Sequence, residues 1–155
     1  MIKFFKLASS VILSLLIGGI SGIATSGEIN GWYMGLNKPT FNPPNWVFGP
    51  VWTILYILMG VSFFLIWNLP PSKNRSKAML IFMTQMTLNF FWSFLFFKFK
   101  VMGWAFVEIV ILWLLIIWTI SLFYKLKKSA GLLNVPYLLW VTFASTLNLA
   151  YFLLN

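Results

Sequence analysis

Aromatic and amide side chains recur at helical spacing through the apolar parts of this chain, and they are its strongest candidates for chemistry. Projected at 3.6 residues per turn, they form one stripe on each of four apolar segments. The stripes are Trp52, Tyr56, Gly60, Phe63 and Trp67; Gln85, Asn89, Trp92 and Phe96; Trp104, Glu108 and Thr119; and Trp140, Ala144, Asn148 and Tyr151. Facing inward, they would enclose a cavity walled by flat rings and a few hydrogen-bonding groups. Such a lining suits a large, planar, mostly apolar ligand.

Ordinary packing is the alternative reading of these stripes, because amide and hydroxyl side chains also hydrogen-bond between helices inside membranes. We favour packing for Gln85, Ser93 and Asn148. We favour ligand contact for Trp52, Asn89 and Trp140. Glu108 is the only acid in an apolar segment. We interpret it as structural, and a role in relaying protons or holding a cation stays open as the alternative.

The sequence contains no Cys and no His. This composition excludes disulfides, thiol nucleophiles and a histidine general base, and it removes the usual ligands of zinc and haem iron. We therefore predict no metal site and no obligatory cofactor.

Composition places the chain in a lipid bilayer. Of its 155 residues, 61% are hydrophobic and 8% are charged, whereas a soluble domain carries roughly 25% charged residues. The basic residues form short clusters between apolar runs. Because nucleic-acid binding needs a basic face on a folded domain, we expect no nucleic-acid partner.

Five segments are long enough to span a membrane, which requires roughly 20 apolar residues. They cover about residues 4–24, 46–68, 78–97, 102–124 and 132–153. The sequence therefore predicts an all-α membrane protein, with residues 1–155 forming one five-helix domain. The first segment resembles a signal peptide in having lysines before an apolar run. We predict that it is retained, because the run is long and no cleavage site precedes a soluble domain.

The connection between the first two segments, residues 25–45, is longer than the others and rich in aromatics and prolines. A long ordered loop in a compact protein is usually functional or disordered, and the aromatics and prolines here favour an ordered flap. Proline fixes the backbone and donates no hydrogen bond, which favours a stiff, extended strap over residues 39–44. Two starts for the next helix are open: a cap at Gly49 with Pro50 in the first turn, or an N-cap at Asn45 with Pro50 one turn further in.

Charge predicts the orientation in the membrane. Eight of the eleven basic residues lie at the N-terminus and in the connections after the second and fourth segments, and three lie on the other side. The positive-inside rule then places the N-terminus in the cytoplasm and residues 25–45 outside. Gly18 and Gly22 have the spacing that permits close approach of two helices, and we take their segment and the third one as candidate dimer faces.

Four blocks of residues follow one another along the chain. The loop and the second segment contribute Trp32, Tyr33, Leu36, Lys38, Pro39, Pro43 and Pro44, then Trp46-Val47-Phe48-Gly49-Pro50-Val51-Trp52, Leu55, Tyr56, Met59 and Gly60. The third segment has Gln85, Leu88, Asn89, Trp92, Ser93, Phe96 and Phe97. The fourth segment has Gly103, Trp104, Ala105, Val107 and Glu108, and the fifth has Pro136, Tyr137, Leu138, Trp140, Phe143, Ala144, Leu147 and Asn148. Together, in this order, the four blocks resemble the TspO/MBR family of tryptophan-rich sensory and translocator proteins.

This resemblance implies a five-helix bundle whose ligand cavity is closed by the first loop. It also implies binding of porphyrins, including protoporphyrin and haem, and of benzodiazepine-site ligands, with a role in tetrapyrrole transport or regulation and a homodimeric state. The implied ligand contacts are Tyr33, Trp52, Asn89, Trp92, Trp140 and Ala144, to which we add the lid prolines Pro43 and Pro44. Trp52 and Trp140 match tryptophans tied to light- and oxygen-dependent porphyrin breakdown, so they are the candidate catalytic residues.

The C-terminal end departs from the pattern of animal members. Their sterol motif requires Lys or Arg after a tyrosine, whereas Tyr151 is followed by Phe152, Leu153, Leu154 and Asn155. We therefore expect no sterol binding by that motif and a bacterial plasma membrane as the location. The expected function is a tetrapyrrole-binding membrane protein, with a small-molecule transporter or a stress sensor without catalysis as the alternative.

Overall fold

The computed structural model describes residues 1–155, except for the side chain of Ala24. The helices are α1 (Ile2–Ile29), α2 (Asn45–Trp67), α3 (Lys73–Ser93), α4 (Met102–Leu126), α5 (Lys128–Leu132) and α6 (Val135–Leu154). A 3₁₀ turn covers Trp32–Gly35, and a π-helical turn at Phe94–Lys98 continues α3. Within these described residues, five helical stretches are long and apolar enough to cross a membrane, with α5 and α6 together forming the fifth. The predicted all-α, five-span architecture is thereby confirmed.

Hydroxyl side chains explain why α1 continues beyond the predicted end near residue 24. Ser21 donates to the carbonyl of Ile17 at 3.0 Å, and Thr25 donates to that of Ser21 at 2.9 Å. Each hydroxyl is thus satisfied within the helix, so polar residues do not end it. At the other end of the fold, α3 begins five residues before the predicted start. Its N-cap is Ser72, whose hydroxyl accepts from the Arg75 amide at 3.1 Å.

The strap of prolines leads directly into α2. Pro44 occupies the N-cap position, and Pro50 lies inside the helix. Of the two predicted starts, the early one therefore describes the structure, although the cap is Pro44 and not Asn45. Pro50 has no N–H to offer the carbonyl one turn earlier.

The helices pack in the order α2, α1, α3, α4 and α6, and α2 closes the bundle through contacts with α3, α5 and α6. Three phenylalanine rings join α2, α3 and α4 near the basic end of the bundle. The rings of Phe63 and Phe82 stack at 5.0 Å, and those of Phe82 and Phe123 stack at 5.5 Å. In this arrangement α4 packs against α3 and α6 and lies away from α1.

Two glycines bring α1 and α2 into close contact. A Cβ atom added to Gly60 would lie 2.7 Å from the Cα of Val11, and one added to Gly18 would lie 2.2 Å from the ring of Tyr56. Neither distance is compatible with a side chain, so both glycines are required by the approach of the helices. A Cβ atom at Gly22 would meet nothing within 4 Å. The predicted close approach is therefore made by Gly18 without Gly22.

Candidate functional site

A cavity of about 550 Å³ lies between α1, α2, α3 and α6, under the first loop. Six of the eight predicted ligand contacts line it, namely Tyr33, Trp52, Asn89, Trp92, Trp140 and Ala144. The structure does not bring Pro43 and Pro44 into this lining. These prolines lie in the segment that enters α2, and their contact with a ligand stays a prediction.

Helix α1 supplies a wall of the cavity that the sequence reasoning missed. The α1 lining residues are Leu15, Gly18, Gly19, Ser21, Gly22, Thr25 and Ile29. The predicted lining consisted of aromatic and amide stripes, and α1 has no such stripe. The sequence feature that could have indicated this wall is the cluster of small residues between 18 and 25, because small side chains leave empty space beside a helix.

The fourth segment does not contribute to the cavity, so the stripe predicted there was wrong. None of the α4 residues described by the structure lines the cavity, because α4 packs against the outer sides of α3 and α6. The side chain of Trp104 is 70% exposed on the outer surface, and Thr119 is buried in the bundle. The carboxylate oxygens of Glu108 are buried, and neither has a hydrogen-bond partner among the described residues.

A buried chain of hydrogen bonds runs from the cavity into the bundle. Tyr56 donates to the Oδ1 atom of Asn89. The Nδ2 atom of Asn89 donates to the Tyr137 hydroxyl at 2.9 Å, and Tyr137 donates to Oε1 of Gln85 at 3.0 Å. Asn89 thus borders the cavity with its acceptor and one of its donors already used. This chain holds Asn89 and Tyr56 in place between α2, α3 and α6.

The indole groups of the cavity differ in what they can offer a ligand. The Nε1 atom of Trp92 donates to Asn148 at 3.1 Å, so that donor is occupied. The Nε1 atom of Trp140 is buried and has no partner among the described residues. Leaving such a donor unpaired costs about 1–3 kcal/mol. Because this nitrogen is itself buried, the Trp140 side chain meets the cavity with its ring and not with its N–H.

The rings of Trp52 and Trp140 are held by other aromatic residues. Trp52 lies 5.6 Å from the ring of Tyr56 and 6.2 Å from that of Tyr137. Trp140 lies 5.9 Å from the ring of Phe48. These tilted and edge-to-face contacts are favourable geometries for aromatic pairs. They keep the two indoles in fixed orientations at the cavity wall.

The first loop is fastened over the cavity at Tyr33. The Tyr33 hydroxyl donates to Oδ1 of Asn42 at 3.2 Å, and the Tyr151 hydroxyl lies 2.9 Å from the same oxygen and 2.8 Å from the Tyr33 oxygen. Burial raises the pKa of the Tyr33 phenol above its usual value, while the bonds to Tyr151 and Asn42 lower it. Because the net shift is upward, Tyr33 remains a neutral donor at physiological pH.

A second fastening joins the loop to the end of α6. The amide N–H of Asn37 donates to Oδ1 of Asn155 at 2.8 Å, and the Nδ2 atom of Asn155 donates back to the Asn37 carbonyl at 3.1 Å. Asn37 also donates from Nδ2 to the Leu154 carbonyl at 3.1 Å. Each such bond contributes roughly 0.5–1.5 kcal/mol net. Together with the bonds at Tyr33, they hold the loop closed at several points.

Comparison with known proteins gives consistent matches over nearly the whole chain. The model of the TspO/MBR family matches residues 10–154. A tryptophan-rich protein TspO from Archaeoglobus fulgidus is 42% identical over 153 residues, which covers 99% of both chains. A protein of the same name from Chlorobaculum tepidum is 39% identical over 154 residues, covering 99% of this chain and 98% of its own. The human translocator protein is 38% identical over 124 residues, covering 79% of this chain and 73% of its own.

Proposed function

This chain belongs to the TspO/MBR family, and from that premise we propose that it binds tetrapyrroles such as protoporphyrin or haem in the cavity beneath the first loop. The observation that carries the proposal is the cavity itself, walled by Trp52, Trp92 and Trp140. A planar ring stacking on such side chains gains roughly 0.5–1.5 kcal/mol per aromatic pair beyond burial.

The ligand's charged groups would lie near the loop. The ammonium of Lys38 lies 5.3 Å from the centre of the Tyr33 ring. From there we propose that it pairs with a propionate of the porphyrin. Such a pair would be solvent-exposed and would contribute at most about 1 kcal/mol. Affinity would therefore come from the apolar walls, and the same walls suit apolar drug-sized ligands of the benzodiazepine-site class.

We also propose that the protein is a homodimer of a bacterial plasma membrane with its N-terminus in the cytoplasm. The support for the orientation is the charge bias of eight basic residues against three. All 155 residues would then form one domain, with the first loop and the C-terminal end of α6 outside.

Titration with protoporphyrin IX tests the proposed binding. With the protein in lipid nanodiscs, we expect saturable quenching of tryptophan fluorescence. Ala144 lines the cavity, so Ala144→Phe should fill it and weaken binding at least about tenfold, which corresponds to 1.4 kcal/mol. The matched control is Leu139→Phe, because Leu139 is exposed on the same helix. Quenching that does not saturate, or that is equal in both variants, would contradict the proposal.

Light-dependent porphyrin oxidation is a second candidate function, favoured by the presence of Trp52 and Trp140 in the lining of the same cavity. An excited porphyrin can exchange an electron with an indole beside it, and oxygen is the final oxidant. We expect illumination in air to bleach bound protoporphyrin faster than free protoporphyrin in empty nanodiscs. The Trp52→Phe variant should slow the bleaching. Equal rates with and without protein would leave binding as the sole function.

A further inference from the structure

We propose that ligands enter the cavity sideways from the bilayer, through a gap between α1 and α2 rimmed by glycines, and not through the first loop. This inference rests on the proposed binding function and adds the route by which a ligand reaches that site. It follows from where the cavity wall is exposed, where the two helices touch and where the loop is fastened.

Exposure identifies the open side of the cavity. Among the lining residues that the structure describes, those with exposed surface are all on α1 and α2, namely Gly19, Gly22, Asn45, Trp46, Gly49 and Thr53. The lining residues from α3 and α6 are buried or half-buried. In a membrane-spanning bundle, the exposed surface between two neighbouring helices faces lipid. The cavity is therefore open toward the hydrocarbon along the line where α1 meets α2.

Glycines make this opening possible. Added Cβ atoms at Gly19, Gly22 and Gly49 would meet no atom within 4 Å, so the space beside each of them is empty. Closer to the basic end of the bundle, the same two helices touch at Gly18 and Gly60 with no room for a side chain. The line between α1 and α2 is thus closed at one end and open at the other. We call Gly19, Gly22 and Gly49 the glycine rim.

The rim presents little polarity to a passing ligand, and the one exposed amide of the lining, Asn45, lies beside it at the first residue of α2. Thr53 donates its hydroxyl to the carbonyl of Gly49 at 2.9 Å, so both groups are satisfied. Trp46, beside them, is 74% exposed, and tryptophan is a typical residue of the membrane interface. The route therefore fits planar, mostly apolar molecules that dissolve in the bilayer, and it opposes charged molecules that stay in water.

The loop side of the cavity offers a poorer route. An opening there would require the hydrogen bonds between Asn37 and Asn155 and those joining Tyr33, Asn42 and Tyr151 to break together. The ion pair of Lys100 with Glu28 at 3.2 Å ties α1 to the start of α4 at the same end. Entry at the glycine rim breaks none of these contacts.

Thiol labelling tests the route without any porphyrin. Because the chain contains no Cys, the substitution Ala144→Cys places a single thiol in the cavity. In nanodiscs, N-phenylmaleimide dissolves in the bilayer and should label this thiol. Adding Gly22→Leu or Gly49→Leu should slow the labelling at least tenfold, because the new side chain occupies the rim. The matched control is Gly27→Leu, since Gly27 is also open but lies outside the lining.

The loop variant Asn37→Ala distinguishes the two routes. Lateral entry predicts that it leaves the labelling rate within twofold of the parent protein. Faster labelling in Asn37→Ala, together with unchanged labelling in Gly22→Leu and Gly49→Leu, would overturn the proposal and place entry at the loop. Failure of the parent protein to bind protoporphyrin IX would count against the proposed function alone, because the labelling rates do not depend on it.

Discussion

Replacing Gly60 with valine is expected to lower the melting temperature of the protein in detergent by roughly 6–12 °C. The reason is that a Cβ atom at position 60 would lie 2.7 Å from the Cα and 3.1 Å from the amide nitrogen of Val11, and 3.0 Å from the carbonyl oxygen of Ser10. These are backbone atoms, so no rotamer change can relieve the overlap. The two helices would have to separate, which costs about 3 kcal/mol, at the upper end of the usual range for overpacking.

The matched control for this prediction is Gly27→Val. Gly27 is on α1, and an added Cβ atom there meets nothing within 4 Å. Any cost of a β-branched residue in a helix is shared by the two variants. Thermal unfolding followed by circular dichroism measures the difference. Equal melting temperatures would show that α1 and α2 do not pack at Gly60 in the membrane protein as isolated.

Replacing Trp140 with phenylalanine is expected to weaken protoporphyrin binding at least about tenfold while leaving the fold intact. The substitution removes part of the flat ring that lines the cavity, and it keeps an aromatic ring against Phe48. An aromatic pair contributes roughly 0.5–1.5 kcal/mol beyond burial, and phenyl offers a smaller surface to the porphyrin than indole does. Loss of contact at the upper end of that range, together with the lost apolar burial, changes the dissociation constant by at least about tenfold.

Quenching of tryptophan fluorescence by protoporphyrin IX measures this effect, and Trp104→Phe is the control. Trp104 carries the same side chain, but it is exposed on α4 and outside the cavity lining. Both variants lose one fluorophore, so their binding curves can be compared directly. Equal porphyrin affinities in the two variants would show that Trp140 does not contribute to the binding site.

The five spans were predictable because each one is a long apolar run, and the bilayer requires that length. The residues at which the helices begin and end were less predictable, because they depend on how the terminal polar groups are hydrogen-bonded and not on the length of the apolar run. Thr25 continues α1 by bonding to a carbonyl within its own helix, and Ser72 starts α3 by capping it. The loop was recognisable as an ordered flap from its prolines and aromatics. Its fastening was not, because Asn37 and Asn155 are far apart in sequence and either residue alone is unremarkable.

The cavity shows what helical periodicity can and cannot predict. Periodicity places Trp140 and Ala144 on one face of a helix, and in the structure both line the cavity. The same reasoning placed Trp104 and Glu108 on one face, but it could not show that α4 lies behind α3 and α6. The contribution of α1 to the cavity wall was not predicted, for the opposite reason. This helix leaves space beside it, and Gly19 and Gly22 have no side chains that could form a stripe. Whether these residues bind a ligand stays a prediction.

The buried chain from Tyr56 to Gln85 has a consequence for which substitutions the protein can accept. Asn89 must accept from Tyr56 and donate to Tyr137 at the same moment. A carboxylate at that position would have no proton to donate to the Tyr137 oxygen, and leucine would in addition leave the buried Tyr56 hydroxyl without its acceptor. Position 89 should therefore be among the least permissive in the chain. Thr84 and Thr87, on the exposed side of the same helix, bond only to their own backbone and should accept many replacements.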